Sequence, residues 1–310
     1  MSSTTEPTLP INMAAAQENI AAVSTFTKTT HIDTYDYISP KNLDLGGKSV
    51  FITGASKGVG RQTALSYATA GASEIAVAAR SDLSNLVIEI KEAAKKAGRK
   101  EPIVLGLKLD VTSEDSVKAA ADAISAKFGG KLDILINNAG YLDDWAPLAE
   151  GSTFHWWQTY EVNVKGVFLC SKYFIPLLLA SELKTNIITT SMGALAVTPT
   201  GSAYQTSKLA ASRIAEYLAV EYKDKGLVCY SIHPGGIKTE LASNLPEEMQ
   251  YVLVDELALP ADTLAWLTAD KRPWLSGRFI SVKWDMRELE AKKDEIVKND
   301  LLKFRLITSV

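Results

Sequence analysis

The chain has 310 residues, 46% of them hydrophobic and 22% charged, with a formal net charge of −3. That composition suits a globular protein with enough apolar residues for a large core, and so small a charge leaves no electrostatic footprint for nucleic acid or an anionic membrane. Cys170 and Cys229 sit in apolar runs and read as reduced core thiols, while His31, His155 and His233 lie too far apart for a metal-ligand motif, so no metal site is expected.

Residues 1–46 are rich in Ser, Thr, Ala and Pro and lack sustained periodicity, which predicts an irregular extension, mobile or wrapped on the surface. No basic residue precedes Lys28 and no long apolar run accompanies it, so neither a signal nor a transit peptide is expected. The most apolar stretch, "YFIPLLLA", is too short to span a bilayer, and a cytoplasmic protein is the expectation. From 47 to 285 the pattern is regular. The runs "SVFITG", "EIAVAAR", "PIVLGLKLD", "LDILINN", "NIITTS" and "LVCYSIH" alternate with longer helical segments. Runs apolar throughout suit strands buried on both faces of a parallel sheet, and the alternation predicts a single doubly wound α/β domain. "RFISVKW" supplies a seventh strand, and residues 286–310 read as a charged helical tail packed on the surface, with an intermittent apolar stripe at Met286, Leu289, Ile296 and Phe304.

The first strand runs into "TGASKGVG", which places Gly54, Gly58 and Gly60 in the first strand-to-helix turn. Residues without a Cβ let a backbone approach a pyrophosphate, and the following helix aims its first amides at that anion. Three glycines alone are weak evidence, and an ordinary structural turn carries them equally well. Their place in the first βα turn of a doubly wound sheet points to a nucleotide. The second strand then ends in "AVAARSDL". Arg80, with Ser81 beside it, stands where an NAD site usually presents a carboxylate to the ribose hydroxyls. A guanidinium pairs with a 2′-phosphate, and Lys57 in the glycine turn adds a second cation, so NADP(H) is expected over NAD(H), which stays possible.

Further on, "NNAG" brings Asn138, Ala139 and Gly140 to the end of the fourth strand, small and amide groups suited to lie against a cofactor. Asn163 follows in "EVNVKG", Ser191 in "NIITTSMGA", and Tyr204 and Lys208 in "SAYQTSKLAAS". Residues four apart share a helix face, so this tyrosine and lysine are neighbours. Each taken alone has an ordinary structural explanation. The ordered set, TGxxxGxG, NNAG, Asn, Ser and YxxxK, resembles the short-chain dehydrogenase/reductase family, and "HPGGIKT" resembles its Pro-Gly turn; the resemblance spans roughly residues 45–285.

That resemblance implies a Rossmann-type domain and a catalytic set of Asn163, Ser191, Tyr204 and Lys208. Tyr204 matches the general acid/base, with an unperturbed pKa of about 10 that a nearby lysine charge is expected to lower. Lys208 matches the ribose contact, Ser191 the group that holds the substrate oxygen, and Asn163 the residue that positions a relay water. By the same carry-over, Ser56, Lys57, Val59 and Arg80 match cofactor contacts, as do Asp110 and Val111 after the third strand. Asn138, Pro234, Gly235, Ile237 and Thr239 complete that set, and Lys165 reads as a surface lysine.

Tyr141, Leu142, Trp145, Met192, Leu195, Val197 and Leu241 suggest an apolar substrate pocket, and the scarcity of cations around them argues against a phosphorylated or CoA-bound substrate. Trp156 and Trp157 suit helix packing or the pocket wall equally. The expected reaction interconverts a ketone or aldehyde and an alcohol on a small molecule, in a homodimer or homotetramer. An epimerase or dehydratase on the same site, or a silent NADP(H)-binding sensor, is the alternative. The chain departs from the family at the extension and at "SGRFISVKWDMREL", which replaces the usual Asp-Gly-Gly end.

Overall fold

In a computed structural model, which describes residues 20–306, all seven apolar runs form strands of one parallel sheet. They are β1 (Ser49–Thr53), β2 (Glu74–Ala79), β3 (Ile103–Lys108), β4 (Ile134–Asn137), β5 (Thr185–Thr189), β6 (Val228–His233) and β7 (Arg278–Ser281), in the order β3-β2-β1-β4-β5-β6-β7. Alternation within each strand splits the core. Val50, Ile52, Ile75 and Val77 face one layer, and Phe51, Ala76, Ala78 and Leu135 face the other. Helices α1 (Gly58–Thr69), α2 (Ser84–Lys96) and α7 (Ala258–Ala269) cover the first face; α3 (Glu114–Lys127), α5 (Gly166–Leu179) and α6 (Ser202–Glu221) cover the second. β3 departs from the expectation of strands buried on both faces. At one edge of the sheet it leaves Ile103 45% exposed, whereas β7 at the other edge is buried under the tail, where the Leu302 carbonyl accepts the Phe279 N–H at 2.8 Å.

Helix α4 (Thr153–Tyr160) continues through a π-helical turn, Glu161–Lys165, into α5. By length and composition Thr153–Leu179 is long and apolar enough to cross a membrane, but half of its most apolar window is buried in this protein, where Phe174 packs on Phe51 at 4.6 Å between ring centroids. Both cysteines are buried free thiols, and burial raises the thiol pKa of each, that of Cys170 to about 12.

The described part of the extension, from residue 20 on, is wrapped against the domain; residues 1–19 lie outside the described residues. Ile38 and Leu45 are fully buried, the Phe26 ring lies 4.8 Å from Trp284, and the Trp284 indole N–H donates to the Val23 carbonyl at 2.6 Å. The tail is two short helices, α8 (Met286–Ala291) and α9 (Lys293–Lys298), whose Met286, Leu289 and Ile296 are completely buried. Strap and tail hold each other: the Met286 amide donates to the Tyr35 hydroxyl at 2.7 Å, and the Tyr37 hydroxyl donates to Glu290 at 2.7 Å.

Candidate active site

The strand order reverses direction at β1, which pairs with β2 on one side and β4 on the other. In such a sheet ligands sit beyond the carboxyl ends of the strands at this switch point. A cleft of about 1690 Å³ opens there, and the turns after β1 to β6 all contribute to its lining. One end holds Arg80, Ser81, Asp110 and Val111; the other holds Ser191, Tyr204 and Lys208, with Asn138, Ala139 and Gly140 among the residues that line it as well.

The glycine turn is shaped for close approach. Gly54 has φ +65°, and a Cβ on it would lie 2.7 Å from the Ala139 Cα. Gly58 has φ +57° and opens α1, whose first amides therefore point into the cleft region lined by Ser56, Lys57, Gly58 and Val59. Gly60 does not line the cleft, contrary to the expectation. It packs inward, where an added Cβ would meet the Asn138 amide nitrogen and the Gly54 carbonyl, both at 2.5 Å. At the Arg80 end, burial works against the Asp110 charge, yet hydrogen bonds from the Thr112 N–H (2.9 Å) and hydroxyl (2.8 Å), with the Arg80 and Lys165 charges, hold this carboxyl below its usual range. Lys57 forms an ion pair with Glu240 across the cleft mouth, and Lys165 pairs with Glu161 at 2.7 Å on the surface.

At the far end α6 presents Tyr204 and Lys208 one turn apart. The Lys208 ammonium lies 5.6 Å from the centre of the Tyr204 ring and donates to the Thr189 carbonyl at 3.0 Å. Ser191 caps a 3-10 turn just past β5, its hydroxyl accepting from the Gly193 N–H at 3.0 Å. Asn163 lies in the π-helical turn, 1% exposed and behind the cleft wall. Its side chain clasps the Tyr141 backbone, accepting from the N–H and donating to the carbonyl, both at 2.9 Å, and donates to the Ser207 hydroxyl at 3.0 Å. A Cβ on Gly140 would stand 3.6 Å from both the Asn163 Oδ1 and the Lys208 Nζ, so the two groups converge on this glycine.

The electrostatics differ from the sequence expectation. Burial raises the Tyr204 pKa, only partly offset by the Ser191 hydroxyl, and burial lowers that of Lys208 from 10.5 to about 8. Among the chain's own groups, desolvation thus outweighs any pull of the lysine charge on the phenol. His233, at the end of β6, accepts the Met192 N–H at its Nδ1 (3.1 Å), and burial with the Lys283 charge depresses its pKa to about 3, so it stays neutral.

Tyr141, Leu142, Trp145, Met192, Val197 and Leu241 line the cleft as expected of a pocket, but Leu195 does not; it turns back against the main core. Pro234, Gly235, Ile237 and Thr239 form the cleft margin after β6. Of the paired tryptophans, Trp157 lines the cleft, whereas Trp156 stacks on Tyr160 at 4.8 Å and donates to Ser202 at 3.1 Å. Sequence reasoning expects the segments that carry Phe154 and Asp255 near the substrate without singling out either residue, and it missed Gln158, Ile20, Ser24 and Lys283. The helical spacing of residues 153, 154, 157, 158 and 161 was a usable signal for α4; the others come together only in three dimensions.

Residues 48–250 match the model of the short chain dehydrogenase family. The chain belongs to the short-chain dehydrogenase family. It is 47% identical over 283 residues to short chain dehydrogenase mpl6 of Monascus purpureus, covering 91% of this chain and 97% of that protein. It is 45% identical over 284 residues to pigC of Monascus ruber, covering 91% and 93%. Among solved structures, a short chain dehydrogenase from Salmonella enterica serovar Typhi superposes with a TM-score of 0.70 at 27% identity, over 80% of this chain and all of that one. A 7 alpha-hydroxysteroid dehydrogenase complexed with NADH and 7-oxo glycochenodeoxycholic acid gives 0.67 at 27%, over 81% and 97%. Membership in this oxidoreductase family, with a seven-stranded Rossmann-like sheet, agrees with the resemblance read from the motifs.

Proposed function

We propose that this protein is an NADP(H)-dependent carbonyl reductase or alcohol dehydrogenase acting on an apolar small molecule. The observation that carries the reading is one cleft with a phosphate-type turn and Arg80 at one end and Ser191, Tyr204 and the buried Lys208 at the other. The fit to a dinucleotide rests on Gly58, where an added Cβ would point at the Thr239 methyl across the cleft at 3.2 Å, and on the α1 amides behind it, while Gly54 lets the turn after β4 close against the same loop. Arg80 and Lys57 favour a 2′-phosphate, and a family relative known with NADH and an oxo-acid supports the reaction class.

Bound nicotinamide would supply or accept the hydride. Ser191 orients the substrate oxygen by donating to it. Tyr204, kept protonated by burial, gives its phenolic proton to that oxygen as the alcohol forms, and takes it back in the reverse direction. Lys208, charged below about pH 8, would hold the ribose hydroxyls of a bound cofactor and stabilises the phenolate once the proton has left. Asn163 acts from behind the wall by fixing Tyr141, and Met192, Trp145 and Leu241 exclude water from the reacting oxygen. Phe168, Leu209, Tyr217 and Val220 are exposed on α5 and α6, which supports a homodimer built on those helices.

The test is to follow NADPH and NADH consumption over a panel of ketones and aldehydes, with Tyr204→Phe in parallel. Cofactor affinity should survive the substitution while turnover falls by about 10²-fold or more. Undiminished turnover removes Tyr204 from the chemistry.

A further inference from the structure

We infer that Asp255 and Lys283 are positioning residues for the nicotinamide end of the cleft, and that the amino-terminal strap completes their brace. The inference rests on the nicotinamide-dependent reading above. It starts from the turn after β6. Gly235 has φ +90°, and a Cβ there would lie 2.8 Å from Asp255 Oδ2, so the carboxylate is packed directly on the turn. That oxygen accepts the Gly236 N–H at 2.7 Å, and the Asp255 N–H donates to the Gly236 carbonyl at 2.8 Å. Both polar groups of one turn peptide unit pair are thus tied to a single residue, and Ile237 forms a bridge with Asp255 alongside.

The other carboxylate oxygen of Asp255 is ion-paired with the Lys283 ammonium. The Asp255 side chain has no exposure, whereas that of Lys283 keeps 27% and lies on the cleft wall. A buried carboxylate is costly without a cation, and such a pair adds little net stability while holding geometry tightly. The strap then grips Lys283 and the neighbour of Asp255, Glu256. The His31 N–H donates to the Lys283 carbonyl at 2.8 Å, and the Ile32 carbonyl accepts from the Glu256 N–H at 2.7 Å. His31 is itself held by Asp285 at 3.0 Å and stacks on Tyr35 with ring centroids 3.6 Å apart. Ile20 and Ser24 of the same strap reach the cleft lining.

Removing the Lys283 charge leaves Asp255 unpaired. The carboxylate then turns toward water, releases the Gly236 N–H and lets the turn drift. Arg80 and Asp110, at the adenine end beyond β2 and β3, do not share this brace. The effect is therefore confined to the nicotinamide half.

The experiment compares Lys283→Gln and Asp255→Asn with the full-length wild type. Each is titrated with NADPH and NADH, and with adenosine 2′,5′-bisphosphate and ADP as probes of the adenine half alone. Affinity for the preferred dinucleotide should fall about tenfold in both variants, the size of one charged hydrogen bond, with affinity for the matching adenine-half ligand unchanged. Lys283→Arg should restore it. Unchanged dinucleotide affinity, or equal losses for dinucleotide and half-ligand, would overturn the inference. If Asp255→Asn does not fold, Lys283→Gln, at the partly exposed partner, decides alone. A wild type that binds neither dinucleotide defeats the nicotinamide reading itself, which is a different result.

Discussion

Lys208→Met should make the protein more stable at neutral pH while removing its turnover. Lys208 is 4% exposed, and burial depresses its pKa from 10.5 to about 8. The folded-state value lies below the unfolded one, so below pH 8 both states carry the proton and the folded state bears the whole burial penalty. A shift of that size corresponds to about 3 kcal/mol. The lost bond to the Thr189 carbonyl costs about 1 kcal/mol, since that carbonyl lies at the cleft where water reaches it, which leaves a net gain of about 2 kcal/mol. As pH rises from 8 to 10.5 the unfolded state binds more protons than the folded one, so the wild type gains stability at this site; about 2 kcal/mol of the penalty is relieved by pH 9.5. Urea denaturation of both proteins at pH 7 and pH 9.5 measures this directly. The advantage of Lys208→Met should shrink by that amount between the two conditions, because titration elsewhere is common to both and cancels. A variant less stable than the wild type at pH 7, or a stability difference that does not change with pH, would refute the reasoning.

Arg80→Asp places a carboxylate where a 2′-phosphate is proposed to sit and should weaken NADPH binding at least about tenfold while sparing NADH, measured by titration with both; parallel losses would show that Arg80 does not read the phosphate. Gly54→Ala combines a φ of +65° with a Cβ 2.7 Å from the Ala139 Cα, so it should cost about 2 kcal/mol or more in thermal or urea unfolding and weaken dinucleotide binding with it. Truncation through residue 38 removes the fully buried Ile38 and orphans the Trp284 and Met286 N–H groups; it should cost more than about 3 kcal/mol, and an unchanged unfolding midpoint would mean that the strap is not part of the fold.

Every strand was legible because a strand buried in a parallel sheet must be apolar whichever face its side chains meet, and "SVFITG" or "LVCYSIH" admits little else. The exception within that reading, β3, was hidden because its exposure depends on strand order and on what covers each edge, which no local run encodes: β7 is also an edge strand but lies under the tail. The glycine turn, Arg80 and the Tyr204/Lys208 pair were legible because each follows a strand end or keeps helical spacing, and Ser191 and Asn163 through the resemblance that the ordered motifs carry. Gly60 and Leu195 were misplaced for the complementary reason: each has the right neighbours in sequence, but its direction is set by what packs behind it.

The sequence by itself determined the order of the elements, which follows from short-range periodicity and turn geometry, and pointed to the candidate site residues through the ordered motifs. Only the tertiary structure decided the electrostatic state of the site and the role of the two chain ends. Tyr204 is raised and Lys208 lowered because desolvation depends on everything packed around them. Asp255 and Lys283 meet across 28 residues, and from the far end of the chain His31 reaches Lys283 and Ile32 reaches the adjoining Glu256, because sheet and strap fold them onto one side of the domain.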